Sequence, residues 1–296
     1  MVRFIAGLML LLPASLQALP GSTWLEIGPG GRAAALGEAM TASVVGAGAS
    51  YWNPAAMDPR VSTLEIMHNS WWVSGGSSQF VAGTFPTAKK LILGVSALHV
   101  GVGDLELRNR PDALPVGTFD ARNFALGASA AYTFTPSMSF GATFRYLSEE
   151  IYIDHANGWS LDLGWIKRGL MAGALDLGAT VRHLGEMEPL RVQSHELPTT
   201  YAFGGLYRLK TTGTLTCSLM AEAVKVREHD TSLRGGVEVS LYEYLALRGG
   251  YLTGIEGRGL TAGFGLAWER WQFDYGYTPF RDDLGHAQRI SLGVRW

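Results

Sequence analysis

The chain has 296 residues, 38 of them Gly, with 24 basic and 26 acidic residues, 17% charged and 47% hydrophobic. Charged residues fall well below the roughly 25% of an ordinary soluble domain and Gly runs near twice its usual ~7%, yet beyond the first twenty residues no apolar run reaches the ~18 that a spanning helix needs. The near-neutral charge gives no nucleic-acid footprint, the single Cys217 excludes a disulfide framework and multi-Cys metal sites, and what remains is the composition of strands that face lipid.

Met1-Val2-Arg3 supplies a positive start, Phe4 to Leu12 an apolar stretch, and Pro13-Ala14-Ser15-Leu16-Gln17-Ala18 a small-residue exit. These are the parts of a secretory signal peptide, so residues 1–18 are expected to be removed. Residues 19–61 follow without alternation. Gly31-Arg32-Ala33-Ala34-Ala35-Leu36-Gly37-Glu38-Ala39-Met40 is small at nearly every position, suited to close packing inside a barrel. In Tyr51-Trp52-Asn53-Pro54-Ala55-Ala56-Met57, Asn53 is placed as an N-cap with Pro54 at the first helical position, which predicts a short helix there.

From residue 62 to 296 the signal is alternation with period two. In the last strand Ile290, Leu292, Val294 and Trp296 point one way, and Arg289, Ser291, Gly293 and Arg295 the other. Such segments fall near 62–73, 79–86, 91–100, 122–134, 138–148, 158–167, 171–184, 199–209, 214–226, 231–242, 244–253, 260–270, 271–280 and 288–296. Fourteen antiparallel strands in a transmembrane β-barrel follow, preceded by the non-alternating residues 19–61. Connections alternate between short ones and longer ones at 101–121, 149–157, 185–198, 254–259 and 281–287. That pattern predicts an integral outer-membrane barrel with long loops outside and both termini periplasmic. Phe134, Phe140, Trp165, Tyr207, Trp268, Trp271 and Trp296 fall at one rim, and Trp72, Tyr146, Trp159, Tyr201 and Tyr251 near the other, as two girdles at the lipid headgroups. The outward parity also takes Cys217 as a small lipid-facing residue.

On the inward parity Asp162, Asp176, Glu222, Glu238, Glu269 and Asp274 stand opposite Arg145, Arg182, Arg208, Arg234, Arg248, Arg289 and Arg295. Arg pairs with carboxylates in planar, bidentate fashion, so this set predicts a cross-linked interior more than a conduction path of one sign. No catalytic motif occurs, no enzyme activity is expected, and no cofactor or metal is implied. Six His residues (His99, His155, His183, His195, His229, His286) fall at or near the predicted outer rim. There Asp154-His155 and His229-Asp230 are the best candidates for an acid/His or metal site, and solvated loop residues explain them equally well.

Residues 28–57, through Gly31-Arg32-Ala33 and Ala49-Ser50-Tyr51-Trp52-Asn53-Pro54-Ala55-Ala56-Met57, resemble the N-terminal signature of the PorV/PorQ family of outer-membrane proteins. The Asn-Pro-Ala element is shared with the FadL family of long-chain fatty acid transporters. The chain departs from that signature at Gly46-Ala47-Gly48, where relatives carry acidic residues. The resemblance implies a fourteen-stranded barrel with residues 19–61 as a luminal plug, whose motif is Trp52, Asn53, Pro54 and Ala55, with Asn53-Pro54-Ala55 near the base. It also implies a component of type IX secretion or surface assembly, whose long loops engage cargo C-terminal domains or neighbouring subunits. The alternative is a FadL-like passive transporter of small hydrophobic molecules such as fatty acids, and a third reading is a purely structural barrel. Trp296, a terminal aromatic on an alternating last strand, resembles the signal read by the barrel-insertion machinery, which with outer-membrane lipid completes the expected partners.

Overall fold

The computed structural model describes residues 22–296 except 72–74, 88–89, 109–113, 191–195, 210–213, 228, 256 and 282–284. The signal peptide, Trp72 and His195 therefore lie outside the described residues. Fourteen strands form one closed antiparallel barrel in which every neighbour in sequence is a neighbour in space. They are β1 Thr63–Trp71, β2 Gly76–Pro86, β3 Leu91–Leu107, β4 Gly117–Thr135, β5 Met138–Ile151, β6 Asp154–Leu170, β7 Leu175–Met187, β8 Thr200–Leu209, β9 Leu215–Val226, β10 Thr231–Leu241, β11 Leu245–Leu252, β12 Leu260–Trp268, β13 Trp271–Pro279 and β14 His286–Arg295. The barrel closes where β1 pairs β14, from Thr63 opposite Arg295 to Trp71 opposite Ala287.

The exposure pattern is inverted relative to a soluble sheet. On β14, Ile290 is 44% and Leu292 39% exposed, whereas Arg289 is 3% and Ser291 2% exposed. Large apolar side chains thus cover the outside and polar ones the inside, the arrangement of a barrel whose solvent is lipid. No described helix is long and apolar enough to cross a membrane, and a closed barrel is the other structure that satisfies its backbone there. The outer-membrane β-barrel class follows from this architecture. Aromatic side chains ring both ends of the outer face, with Phe134, Trp268 and Trp296 exposed at one rim and Tyr146, Trp159 and Tyr201 at the other.

Two expected loops are largely strand. β3 and β4 extend to Leu107 and from Gly117, and β5 and β6 meet at a two-residue turn, Tyr152-Ile153. A register shift between Val102 and Leu105 breaks the alternation on β3, with Asp104 at φ 56°. Strand that stands clear of lipid has no reason to present an apolar face, so period two fades there although pairing continues. β7 begins at Leu175 and not near 171, because Met171, Ala172 and Gly173 form a turn with positive φ.

Residues 22–62 run down the interior. Backbone groups of this segment hydrogen-bond to inward side chains on five strands, Glu65 of β1, Thr143 of β5, Glu222 of β9, Thr261 of β12 and Ser291 of β14, and the Arg32 side chain donates to Glu238 of β10. Contacts spread around the whole circumference require an internal position. The segment begins near the long-loop end, where Glu26 Oε1 lies 3.8 Å from His229 Nε2. It ends at the short-turn end, where Ser62 and Trp296 exchange two backbone hydrogen bonds of 3.0 Å. Its regular structure comes only in single turns, including α1 Gly31–Ala35 and α2 Ala49–Trp52. The helix expected after Asn53 is one 3₁₀ turn, Pro54–Ala56, capped as the sequence predicts: Asn53 Oδ1 accepts from Ala55 N at 3.1 Å.

Candidate functional site

The candidate site is the barrel interior. Arg145 of β5 and Asp162 of β6 form a buried ion pair, and Arg145 Nη2 also donates to Ser50 O at 3.0 Å. Arg248 bridges Glu238 and Asp274, at 2.6 Å each. Asp176 pairs with Arg208 at 2.6 Å, half exposed on the arginine side, and Glu222 Oε2 accepts from the Thr41 backbone N–H at 2.7 Å. Arg234 and Arg289 both turn to Glu38, at 3.6 and 2.9 Å. Arg182 has no hydrogen bond or ion pair among the described residues and lies instead over Trp52 and Tyr51, 5.1 and 5.9 Å from the ring centres.

Two expected members fall outside this network. Glu269 is exposed in the β12–β13 turn, at φ 53°, because β12 ends at Trp268 and parity no longer applies beyond it. Arg295 keeps inward parity but is exposed at the short-turn end, past the reach of the buried acids. His183 is a further correction. It is not a rim residue but is 1% exposed inside β7, at a bulge where its own φ is 58°. Its backbone N–H donates to Asp162 Oδ1 at 2.8 Å, and its ring lies 6.3 Å from that of Tyr51.

The segment itself contributes the charges that strand parity misses. Arg32 pairs with Glu238 at 2.9 Å, and Glu38 gathers Arg234, Arg258 and Arg289. These are the only charged residues between Ile27 and Met57. Two isolated charges in so apolar a run need buried partners, and that was the available signal. Burial alone would raise the Glu38 carboxyl, but the Arg258, Arg289 and Arg234 guanidiniums hold it well below the ordinary carboxylate range. Burial pushes the Tyr51 phenol up to about 12, and its hydroxyl donates to Leu25 O. At Gly48, where the resembling families carry segment acids, the acid comes from the wall: Glu65 Oε2 accepts from Gly48 N at 3.1 Å.

Small wall residues set how closely the segment packs. A Cβ on Gly164 would lie 2.2 Å from Asn53 Oδ1, and one on Gly141 would lie 2.4 Å from the Pro54 carbonyl carbon. On the opposite side Gly250 meets Gly37 N at 2.2 Å and Gly276 meets Gly31 O at 2.4 Å by the same measure. Asn53 Nδ2 donates to Thr41 O at 2.7 Å and to Trp165 O at 3.1 Å, tying the cap to the wall of β6.

The lining is mixed. On β1 to β5 the inward Met67, Phe80, Ile92, Leu98 and Leu147 are buried with Leu25, Tyr51 and Met57 of the segment in one apolar cluster. Inward charges stand on β9 to β14 and equally on β1 and β5 to β8, among them Glu65 and the Arg145–Asp162 pair. Two cavities lie at the short-turn end, one of about 280 Å³ between α1 and the β1, β13 and β14 wall, the other of about 460 Å³ beside Arg32, Glu238 and Arg248. No group of three or more His, Cys, Asp or Glu residues among the described ones is arranged to hold a metal. His155 and Asp154 open β6 at the rim, and His229 faces Glu26.

No protein-family model matches the chain, and no curated protein matches it by sequence. Among solved structures it resembles the Ralstonia pickettii toluene transporter TbuX, with a TM-score of 0.60 and 14% identity over 90% of this chain and 97% of that one. The Pseudomonas putida toluene transporter TodX superposes with a TM-score of 0.60 at 12% identity, over 89% of this chain and 96% of that one. The CymD monoaromatic hydrocarbon channel gives 0.57 at 12%, over 91% and 97%. At such identities the shared property is the fold, a fourteen-stranded barrel matched along nearly its whole length.

Proposed function

We propose that the protein is a non-enzymatic outer-membrane channel that passes small hydrophobic molecules, with residues 19–61 as its luminal plug and its termini on the periplasmic side. The observation that carries this reading is an apolar patch on the inner face of β1 to β5, Met67, Phe80, Ile92, Leu98 and Leu147, sealed against Leu25, Tyr51 and Met57. A water-filled pore has no use for such a face, whereas a hydrophobic solute needs one. The architecture of proteins named as toluene transporters and monoaromatic channels supports the same choice. The ion pairs of Arg32 and Glu38 would tie the plug to charged residues of β10 and β14.

The export reading, a PorV/PorQ-like part of type IX secretion, has one observation of its own. The extended β3–β4 and β5–β6 hairpins present Leu114, Val116, Tyr152 and Ile153 beyond the lipid-facing girdle, all strongly exposed, as a surface for secreted cargo or neighbouring subunits. The fold likeness favours hydrophobic transport over it. Trp296, one residue beyond β14, packs its ring 6.4 Å from that of Phe85.

Thermal unfolding of the purified protein tests the channel reading. A monoaromatic such as toluene at 100 times its dissociation constant should stabilise the fold by about 2.7 kcal/mol. No shift with toluene, with other monoaromatics or with fatty acids would contradict transport of such molecules by this barrel.

A further inference from the structure

The 280 Å³ cavity at the short-turn end combines an apolar body with acceptors at its inner wall. Ala33, Met40, Val44 and Trp52 of the segment line one side, and Glu65, Asp274 and Ser291 of the barrel the other. Most of these acceptors are already held: Asp274 by Arg248 at 2.6 Å and Gln272 at 2.9 Å, and Ser291 Oγ by Gly31 N at 2.8 Å. Glu65 Oε2 takes Gly48 N and the carboxyl also meets the Ser291 side chain, while Oε1 stands at the cavity wall beside Gly30.

Charge around the cavity selects among ligands. A carboxylate pushed inward would face Glu65 and Asp274. An ammonium would have to pass the exposed Arg270 and Arg295, which line the solvent side. A neutral molecule with a hydrogen-bond donor meets neither obstacle, and its hydroxyl finds Glu65. The volume, near the lower end of the ~300–1,000 Å³ of ligand pockets, suits a single substituted ring and not a long acyl chain.

We propose that this cavity is a binding site for neutral, hydroxyl-bearing small hydrophobes of the phenol class, on the short-turn side of the luminal segment. The proposal deepens the channel reading by naming a substrate class, and takes its meaning as a subsite on the transport path from that reading.

The test is titration of p-cresol, toluene, benzoate and benzylamine into the full-length protein in lipid nanodiscs, with empty nanodiscs as the partition control. One hydrogen bond separates p-cresol from toluene, so p-cresol should bind several-fold more tightly than the other three. Val44→Trp, which fills the cavity, should abolish cresol binding, and Glu65→Leu, which removes the acceptor, should bring cresol to the affinity of toluene. Heat-dependent gel migration verifies that each variant is a folded barrel, and if Glu65→Leu does not assemble, the ligand panel on Val44→Trp decides. Equal affinity for cresol and toluene, or cresol binding indifferent to Val44→Trp, would overturn the proposal. Loss of the channel reading has a different signature: Val44→Trp-sensitive cresol binding persists while a deletion strain takes up cresol and toluene at the normal rate.

Discussion

A Gly164→Val barrel should still insert into the outer membrane yet leak ions. The added Cβ falls 2.2 Å from Asn53 Oδ1 and 3.0 Å from Pro54 Cδ. Asn53 has no room to yield, because its amide is bound to Thr41 O and Trp165 O and its Oδ1 caps Ala55 N. Overpacking of this kind costs about 1–3 kcal/mol and loss of the cap about 1 more. That sum falls on residues 41–57, since the strand ladder runs outside the contact and is untouched. The segment should therefore loosen while the barrel persists. Planar-bilayer recordings should show conductance well above wild type, and trypsin should cut after Arg32, which is buried against Glu238 in the wild type. Gly249→Val, at an outward position with nothing within 4 Å of the added Cβ, should behave as wild type. A Gly164→Val protein as tight and protease-resistant as wild type would mean that the segment is not what closes the lumen.

Glu38→Gln should have the largest effect on stability of any single charge removal. Glu38 is 1% exposed and faces Arg258 at 2.7 Å, Arg289 at 2.9 Å and Arg234 at 3.6 Å. Neutralising it leaves three guanidiniums around an uncharged amide in a site with little water, and breaking a buried pair in this way costs about 3–5 kcal/mol. The pH dependence carries a sign. The folded carboxyl titrates below its ordinary value of 4.5, so its contribution is present above that value and is lost as pH falls through the lower, folded one. The gap between wild type and Glu38→Gln should be constant across neutral pH and narrow only in strong acid. Melting curves of the two proteins at several pH values measure this, and a gap that widens on acidification would contradict the ion-pair assignment.

Strands were legible where lipid imposes period two. The fourteen segments, their order and the outward aromatics follow from alternation, and β14 reads from Arg289 to Arg295 as it folds. The same signal fails on Gly101 to Leu107 and around Ile151, where the strands stand clear of the membrane and a bulge shifts the register. Inside, parity turns Arg145, Asp162, Arg248 and Asp274 inward but cannot complete the network, because Arg32 and Glu38 belong to a segment without periodicity. Glu38 is the clearest case. Its three arginines come from β10, from β14 and from the β11–β12 connection, a convergence that exists only once the barrel is closed. Gly141, Gly164, Gly250 and Gly276 read only as small inward residues, and their purpose appears when the backbone of residues 31–55 lies against them.

Initial uptake of labelled toluene and p-cresol by intact cells, with and without the gene, tests most directly whether this barrel is a channel for small hydrophobic molecules. Deletion should slow uptake of at least one of them several-fold, and the wild-type gene should restore it. Unchanged uptake of both, together with loss of surface-exposed proteins from the deletion strain, would contradict the channel and leave the export reading in its place.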